Sequence, residues 1–175
     1  RNAAGARDHW EALRRDFPRS KLIPDAAEGL GWIAFEAGRF PEALELFWLT
    51  AATPQHPKAA SCQVFAARCL EKMKRTDEAL GALEKARGLP GGEGQAREAA
   101  LWRAVFLFHA QRYPQAVEAY RALAQAFGAH PDTPPAILEA AGEALEGGQA
   151  QVALDLSELY LASFAQGAER PLAAR

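Results

Sequence analysis

FEAGRFPEA, residues 35–43, decides the fold of this chain, because the sequence returns to it three times. FHAQRYPQA at residues 108–116 repeats it without a gap, keeping Phe, Ala, Arg, an aromatic residue, Pro and Ala in step. Weaker copies are EKMKRTDEA at residues 71–79 and LEGGQAQVA at residues 145–153. The alanines that close the four copies are spaced 36, 37 and 37 residues apart. A period of this length is typical of stacked-repeat architectures, in which each repeat is one supersecondary unit.

Within each period the apolar residues recur at helical spacing. Trp10, Leu13 and Phe17 form one such stripe near the N-terminus. Gly38 followed by Pro41 is the signal that ends one helix and begins the next. Alanine is abundant whereas Val, Ile and Thr are scarce, which favours helix over strand. We therefore predict an all-α stack of about four helical hairpins plus a leading helix.

The repeats also set the expected domain organisation. A length of 175 residues suggests one or at most two domains, and we predict a single solenoid domain over residues 1–175. The Gly-rich stretch 88–94 is interpreted as a loop between repeats or, alternatively, as a hinge between two half-modules. Because the chain starts with Arg1 and both ends interrupt the pattern, we expect a piece of a longer protein. The predicted segments are a partial repeat at 1–19, repeats at about 24–53, 58–88, 95–128 and 134–164, and a tail at 165–175.

The bulk composition excludes two classes of partner. Hydrophobic residues make up 49% of the chain and charged residues 24%, which is ample for a packed core. A net charge of −2 and a pI near 6.1 give no electrostatic footprint for nucleic acid or for an anionic membrane. No apolar run approaches the roughly 20 residues that span a bilayer. We therefore expect neither nucleic-acid binding nor direct membrane insertion.

Residues that could support catalysis are scattered. The four histidines are not spaced for metal binding with Asp, Glu or Cys; they are His9, His56, His109 and His130. The glycines at 91–94 follow no predicted strand and lack the Lys-Ser/Thr of a phosphate loop. We predict no catalytic residues, no metal site, no cofactor and no enzymatic activity.

The two cysteines, Cys62 and Cys69, stand seven residues apart in one predicted helix. Seven residues separate them by about 10 Å along the helix axis. A disulfide needs Cα atoms within about 7 Å, so an intact helix prevents a bond between them. We interpret both as small buried apolar residues.

The repeated positions resemble the tetratricopeptide repeat family. Its helix-turn-helix unit has Leu-Gly and an aromatic residue in the first helix, Gly before an aromatic at the turn, and then Ala, an aromatic and Ala. The first repeat carries Leu30, Gly31, Gly38, Phe40, Ala43 and Phe47 at these positions. The second repeat matches with Ala67, Ala79, Leu83 and Ala86, and the third with Ala104, Tyr113, Ala116 and Tyr120. The fourth matches with Ala141, Gly148 and Ala153, but it has Ser157 in place of the aromatic residue. The resemblance implies a right-handed α-α superhelix.

A shorter resemblance concerns the linker DFPRS at residues 16–20, followed by PDAA at residues 24–27. It is similar to the aromatic-Pro-x-Ser linkers of bacterial envelope tetratricopeptide proteins of the BamD-like and CpoB/YbgF-like kinds. That similarity implies a bacterial scaffold in outer-membrane or cell-wall assembly. The compartment stays open between the cytoplasm and the periplasm or envelope, because the N-terminus of such a piece does not report on targeting.

In this family the function lies in the concave surface, which the first helix of each repeat lines. The resemblance implies that a predicted groove is lined by Glu28, Trp32, Phe35, Val64, Arg68, Leu101, Val105, Phe108 and His109. The apolar members favour binding of an amphipathic helix or an apolar peptide, because burying one such side chain contributes about 1.5–3 kcal/mol. The alternative is that a neighbouring repeat or a flanking helix covers them. The corresponding residues of the fourth repeat are Leu138 and Leu145.

We therefore expect a non-catalytic scaffold for protein–protein interaction, whose partner is another protein. Two alternatives stay open from the sequence: self-assembly through terminal repeat faces, and a rigid spacer within a longer repeat protein. Chaperone-binding members of the family hold a C-terminal carboxylate with Lys, Arg and Asn. Trp32, Val64 and Arg68 stand at the corresponding places here, which disfavours an Hsp70 or Hsp90 co-chaperone.

Overall fold

A computed structural model describes residues 3–53, 55–89 and 92–164, except for the side chains of residues 3 and 4. All regular structure in this part of the chain is α-helical, which confirms the predicted fold class. The helices are α1 Ala3–Asp16, α2 Ile23–Glu36, α3 Phe40–Ala51, α4 Ala59–Lys72, α5 Thr76–Arg87, α6 Gly92–His109, α7 Tyr113–Phe127, α8 Thr133–Glu146 and α9 Ala150–Phe164. In sequence, α1 is the leading helix and the others follow as the predicted pairs.

The turns inside the four pairs share one backbone conformation at the same place in the repeat. The fourth residue of each repeated stretch has a positive φ, with values of 73° at Gly38, 61° at Lys74, 58° at Gln111 and 74° at Gly148. The next backbone N–H donates to the carbonyl five residues earlier, as from Arg39 to Ala34 at 2.9 Å. This Schellman arrangement satisfies a carbonyl group that the end of a helix leaves open. The turn conformation is thus kept in every repeat, although glycine stands in only two.

Contacts within the chain divide it into two compact units, residues 1–99 and residues 100–175. The boundary falls within α6, shortly after the Gly-rich stretch 88–94. The helix α6 begins at Gly92, near the predicted start of the third repeat at about residue 95. The predicted tail at 165–175 lies outside the described residues.

In unit 1, each helix from α1 to α4 packs on the next one along the chain, so that α5 packs on α4. Phe47 of α3 is fully buried, and its ring centroid lies 5.9 Å from that of Trp32 and 5.6 Å from that of Phe65. Gly31 of α2 allows this ring to approach, because a Cβ atom at Gly31 would lie 2.9 Å from it. The close packing of α2 on α3 therefore depends on a small residue facing a large one.

In unit 2, α8 packs on α9, and α7 packs on both. The largest fully buried side chains of these helices are Tyr120, Leu123, Ile137 and Leu156. Burial raises the pKa of the Tyr120 hydroxyl above its ordinary value, with smaller contributions from the carboxylates of Glu143 and Glu139. Unit 2 thus has an apolar core of its own.

Candidate partner-binding surface

The unit 1 part of the predicted groove centres on aromatic rings from α2 and α4. The ring centroids of Trp32 and Phe65 lie 4.1 Å apart, and Phe35 lies edge-on to both rings at 6.3 Å. Phe65 is 8% exposed, whereas Trp32 and Phe35 are only partly buried. A buried ring therefore supports two rings that keep solvent-accessible surface.

Arg68 of α4 adds a positive charge beside these rings. Its guanidinium carbon lies 5.1 Å from the centroid of Phe35 and 5.0 Å from that of Phe65, within the range of cation–π attraction. Burial lowers the pKa of Arg68 from its ordinary value, while the carboxylate of Glu98 acts in the opposite direction. A guanidinium is protonated at any physiological pH, so the aromatic rings are next to a permanent cation.

Glu28 stands one helical turn before Trp32 on α2 and adds a negative charge. The ammonium group of Lys58 donates a hydrogen bond to the Glu28 carboxylate. This bond raises the pKa of Lys58 against the opposing effect of burial. We call Glu28, Trp32, Phe35 and Arg68 the aromatic surface of unit 1; it combines partly exposed rings with charges of both signs.

Two members of the predicted groove are core residues. Val64 is 0% exposed, and Phe108 is 8% exposed with its ring centroid 5.5 Å from that of Tyr113. Neither offers surface to a partner in this structure. The sequence pattern does not separate them from exposed positions, because α4 and α6 carry apolar residues on more than one side.

The remaining predicted residues lie in unit 2, on the last part of α6. Leu101 and Val105 are partly exposed and stand one helical turn apart. His109 is exposed, and its Nε2 atom lies 4.0 Å from a carboxylate oxygen of Glu143 on α8. Unit 2 therefore places an apolar pair and an imidazole along α6.

Comparison with known sequences gives the family. The sequence model described as tetratricopeptide repeat matches residues 1–60 and 66–134. The chain belongs to the tetratricopeptide repeat family. Tetratricopeptide repeats are protein-interaction modules and are generally non-catalytic, so the chain is a scaffold for protein–protein interaction. No curated protein matches it in sequence.

Several solved structures share the fold. Two crystal structures of MamA match with TM-scores of 0.68 and 0.69 at 14% and 15% identity, covering 95% and 99% of this chain and 91% and 89% of theirs. A protein described as a kinesin light chain of Podosopora anserina, with nearly identical TPR-like repeats, matches with a TM-score of 0.67 at 20% identity. That match covers 97% of this chain and 90% of the other. At such identities the likeness establishes the helical-repeat fold.

The described residues bear on three features, namely metal-binding clusters, membrane-spanning helices and reactive thiols. In the part that the structure describes, no group of three or more His, Cys, Asp or Glu could hold a metal ion, and no helix is long and apolar enough to cross a bilayer. Cys62 and Cys69 are free and buried, and burial raises the pKa of each thiol to about 12. Both are therefore protonated core residues at neutral pH.

Sequence reasoning did not find a cleft of about 690 Å³ between the second helices α7 and α9 of unit 2. Apolar side chains in its lining include Tyr113, Val117, Val152 and Leu159. Its charged residues include the ion pair of Glu118 with Arg121, and Asp155, which accepts a hydrogen bond from Gln151 at 2.8 Å. The family pattern predicts a binding surface on the first helix of each repeat, whereas this cleft is lined by the second helices. Polar residues on those second helices are the sequence feature that could have indicated it.

Proposed function

We propose that this tetratricopeptide chain is a non-catalytic scaffold that binds a segment of another protein on the aromatic surface of unit 1. The supporting observation is that Trp32 and Phe35 keep accessible surface although both pack against buried rings. Such rings lose little side-chain freedom when they are covered, so most of the gain from burying them is retained as affinity.

The charges beside the rings specify the chemistry of the partner segment. An apolar side chain would cover Trp32 and Phe35, and a carboxylate placed next to it would be attracted by Arg68. An amide group would suit the side of Glu28, whose carboxylate is already paired with the ammonium group of Lys58. The preferred segment is therefore a short amphipathic helix or peptide in which an apolar residue is flanked by an acidic one. Charges of both signs fix its orientation more than they add to its affinity.

The apolar residues of α6 are included in the proposal as a second contact. Leu101 and Val105 are partly exposed and His109 is exposed, so unit 2 offers a contact surface of its own. A role in bacterial envelope assembly, which the linker resemblance implies, stays a prediction that the identity of the natural partner would test.

The test begins with peptides selected from a displayed random library against the whole chain, so that the selection does not favour any surface. Their affinities are then measured by titration calorimetry for the wild-type chain and for the Trp32→Ala and Arg68→Gln variants. A central aromatic contact is typically worth about 2 kcal/mol or more, so Trp32→Ala should weaken binding about thirtyfold. Arg68→Gln should weaken the binding of acidic peptides and leave neutral ones less affected.

Trp48→Ala is the matched control, because Trp48 is 39% exposed on α3 and does not belong to the aromatic surface. Circular dichroism checks that each variant keeps its helices. Equal affinities for the Trp32 and Trp48 variants, with both folded, would exclude the aromatic surface as the binding site.

A further inference from the structure

In unit 2, the cleft between α7 and α9 has an apolar floor to which each helix contributes one stripe. Tyr113 and Val117 stand one turn apart on α7, and Val152 and Leu159 stand two turns apart on α9. Val117 is 7% exposed and Leu159 is 8% exposed, whereas Tyr113 and Val152 keep accessible surface. The volume of about 690 Å³ falls within the range of ligand sites. The cleft therefore combines a buried apolar base with two accessible apolar side chains.

The aromatic wall of this cleft is held in place from behind. The ring centroid of Tyr113 lies 5.5 Å from that of Phe108, and the two rings meet in a T-shaped arrangement. A ring that is already packed on one side loses little side-chain freedom when a partner covers its other side. The wall formed by Tyr113 is therefore prepared to receive an aliphatic side chain.

Charged side chains line the rims of the cleft, and carboxylates outnumber cations among them. The guanidinium of Arg121 on α7 pairs with the carboxylate of Glu118, so these two charges offset each other. On α9, Asp155 and Glu158 also belong to the lining, and neither is in an ion pair with a residue that the structure describes. Asp155 accepts a hydrogen bond from the neutral side chain of Gln151 at 2.8 Å, which leaves its charge in place. The α9 rim is therefore complementary to a cation.

The spacing of the two carboxylates on α9 specifies the kind of cation. Asp155 and Glu158 are three residues apart on one helix, where the Cβ atoms of such neighbours are about 5–6 Å apart. A guanidinium has five N–H donors in a flat fork and can donate to two carboxylates, whereas an ammonium group is a compact point charge. The methylene groups of an arginine also cover apolar surface while its charged end stays at the rim. Arginine therefore fits this rim better than lysine.

The length of the cleft favours a peptide over a small cation. Its lining on α9 extends from Gln151 to Ala162, which is about 16 Å along the helix axis. An extended chain covers this length with about five residues. One arginine side chain reaches only part of it, so a neighbouring aliphatic residue is needed to cover Tyr113 and Val152.

We propose that the cleft between α7 and α9 binds an extended segment of another protein in which an arginine stands next to an aliphatic residue. The arginine donates to the carboxylates of Asp155 and Glu158, and the aliphatic side chain covers Tyr113 and Val152. The charge preference is opposite to that of the aromatic surface of unit 1, which favours an acidic segment. The proposal depends only on residues 113–162 and holds whether or not the aromatic surface binds a partner.

Peptides for the test are selected from a displayed random library on the whole chain and then depleted on its Val152→Arg variant, in which the cleft is filled and carries a positive charge. The depletion removes peptides that bind unit 1, so a failure here is distinct from a failure of the aromatic surface. Leu154→Arg is the matched control, because Leu154 is 50% exposed on the same helix and outside the lining. Circular dichroism checks the fold, and Ala162→Arg, at an exposed lining residue, replaces Val152→Arg if that variant loses helicity.

The peptides that remain should carry an arginine beside an aliphatic residue. Calorimetry should give unchanged affinity for Leu154→Arg and an affinity about tenfold lower for the chain with both Asp155→Asn and Glu158→Gln. In the peptide, citrulline keeps the shape of arginine without its charge and should lower the affinity by a similar factor, whereas lysine should lower it less.

Four results would overturn the proposal. They are a depletion that leaves no peptide, remaining peptides without a basic residue, equal affinities for the arginine and citrulline peptides, and binding of N-acetylarginine amide as tight as that of the peptide. The last result would assign the cleft to a small cation. A sedimentation mass of the chain alone that doubles with concentration, and does so only with Val152 in place, would assign the cleft to a second copy and would also overturn it.

Discussion

Gly31→Ala is the substitution that tests most sharply how α2 packs on α3. An added Cβ atom would lie 2.9, 3.0 and 3.3 Å from three carbons of the Phe47 ring, so the ring would have to move by about 0.5 Å to reach an ordinary contact distance. The ring has no room to move, because it is fully buried between Trp32 and Phe65. Over-packing of this kind costs about 1–3 kcal/mol, whereas alanine gains about 1 kcal/mol over glycine from helix propensity. The packing cost is the larger, and we expect a net loss of about 1 kcal/mol.

Gly81→Ala provides the control within the same unit. Gly81 is an exposed residue of α5, and a Cβ atom there would meet nothing within 4 Å, so only the propensity gain of up to about 1 kcal/mol remains. The free energy of unfolding is measured by urea denaturation for both variants, at the transition that belongs to unit 1 if the units unfold separately. The reasoning fails if Gly31→Ala is as stable as Gly81→Ala, since the clash with Phe47 would then have no cost.

Three further outcomes follow from individual groups. Gly38→Ala should lose about 1 kcal/mol in thermal unfolding, because Gly38 has a φ of 73° but no neighbour that a Cβ would meet; an unchanged midpoint would contradict this. Thr50→Val should also lose about 1 kcal/mol, because the fully buried hydroxyl donates to the carbonyl of Pro24 at 2.8 Å; a more stable variant would show that this bond contributes nothing. The thiols of Cys62 and Cys69 should resist a thiol reagent at pH 8 until urea is added, because their pKa is about 12 in the fold. As the pH rises, the thiols ionise in the unfolded chain before they ionise in the folded one. Their contribution to the free energy of unfolding should therefore be present below pH about 9 and lost as the pH rises towards about 12. A variant with Ala at both positions should show a smaller fall in the free energy of unfolding over this range.

The fold was predictable because its signals repeat. A helix, a turn and a second helix recur in step with the closing alanines, and each turn uses the same backbone conformation. Lys74 and Gln111 adopt the left-handed conformation where a glycine would be expected, which shows that the repeat imposes the turn even where the residue disfavours it. The start of α6 was predictable only to within a few residues, because the local glycines favour a loop and only the packed structure decides otherwise.

The candidate site was predictable only in part, because a repeat pattern fixes which helix a residue belongs to but not how deeply it is buried. Trp32 and Phe35 keep accessible surface, whereas Val64 stands at an equivalent kind of position and has none. The division into two units and the cleft between α7 and α9 arise from contacts between helices, which the sequence of one helix does not report.

The most direct measurement of the central claim is fluorine NMR of the chain labelled with fluorotryptophan, with a library-selected peptide added to saturation. The four tryptophans give separate probes at Trp10, Trp32, Trp48 and Trp102, and single Trp→Phe variants assign their signals. If a partner covers the aromatic surface of unit 1, the signal of Trp32 shifts while that of Trp48 stays in place. A bound peptide that leaves Trp32 unmoved and shifts another tryptophan would contradict the claim.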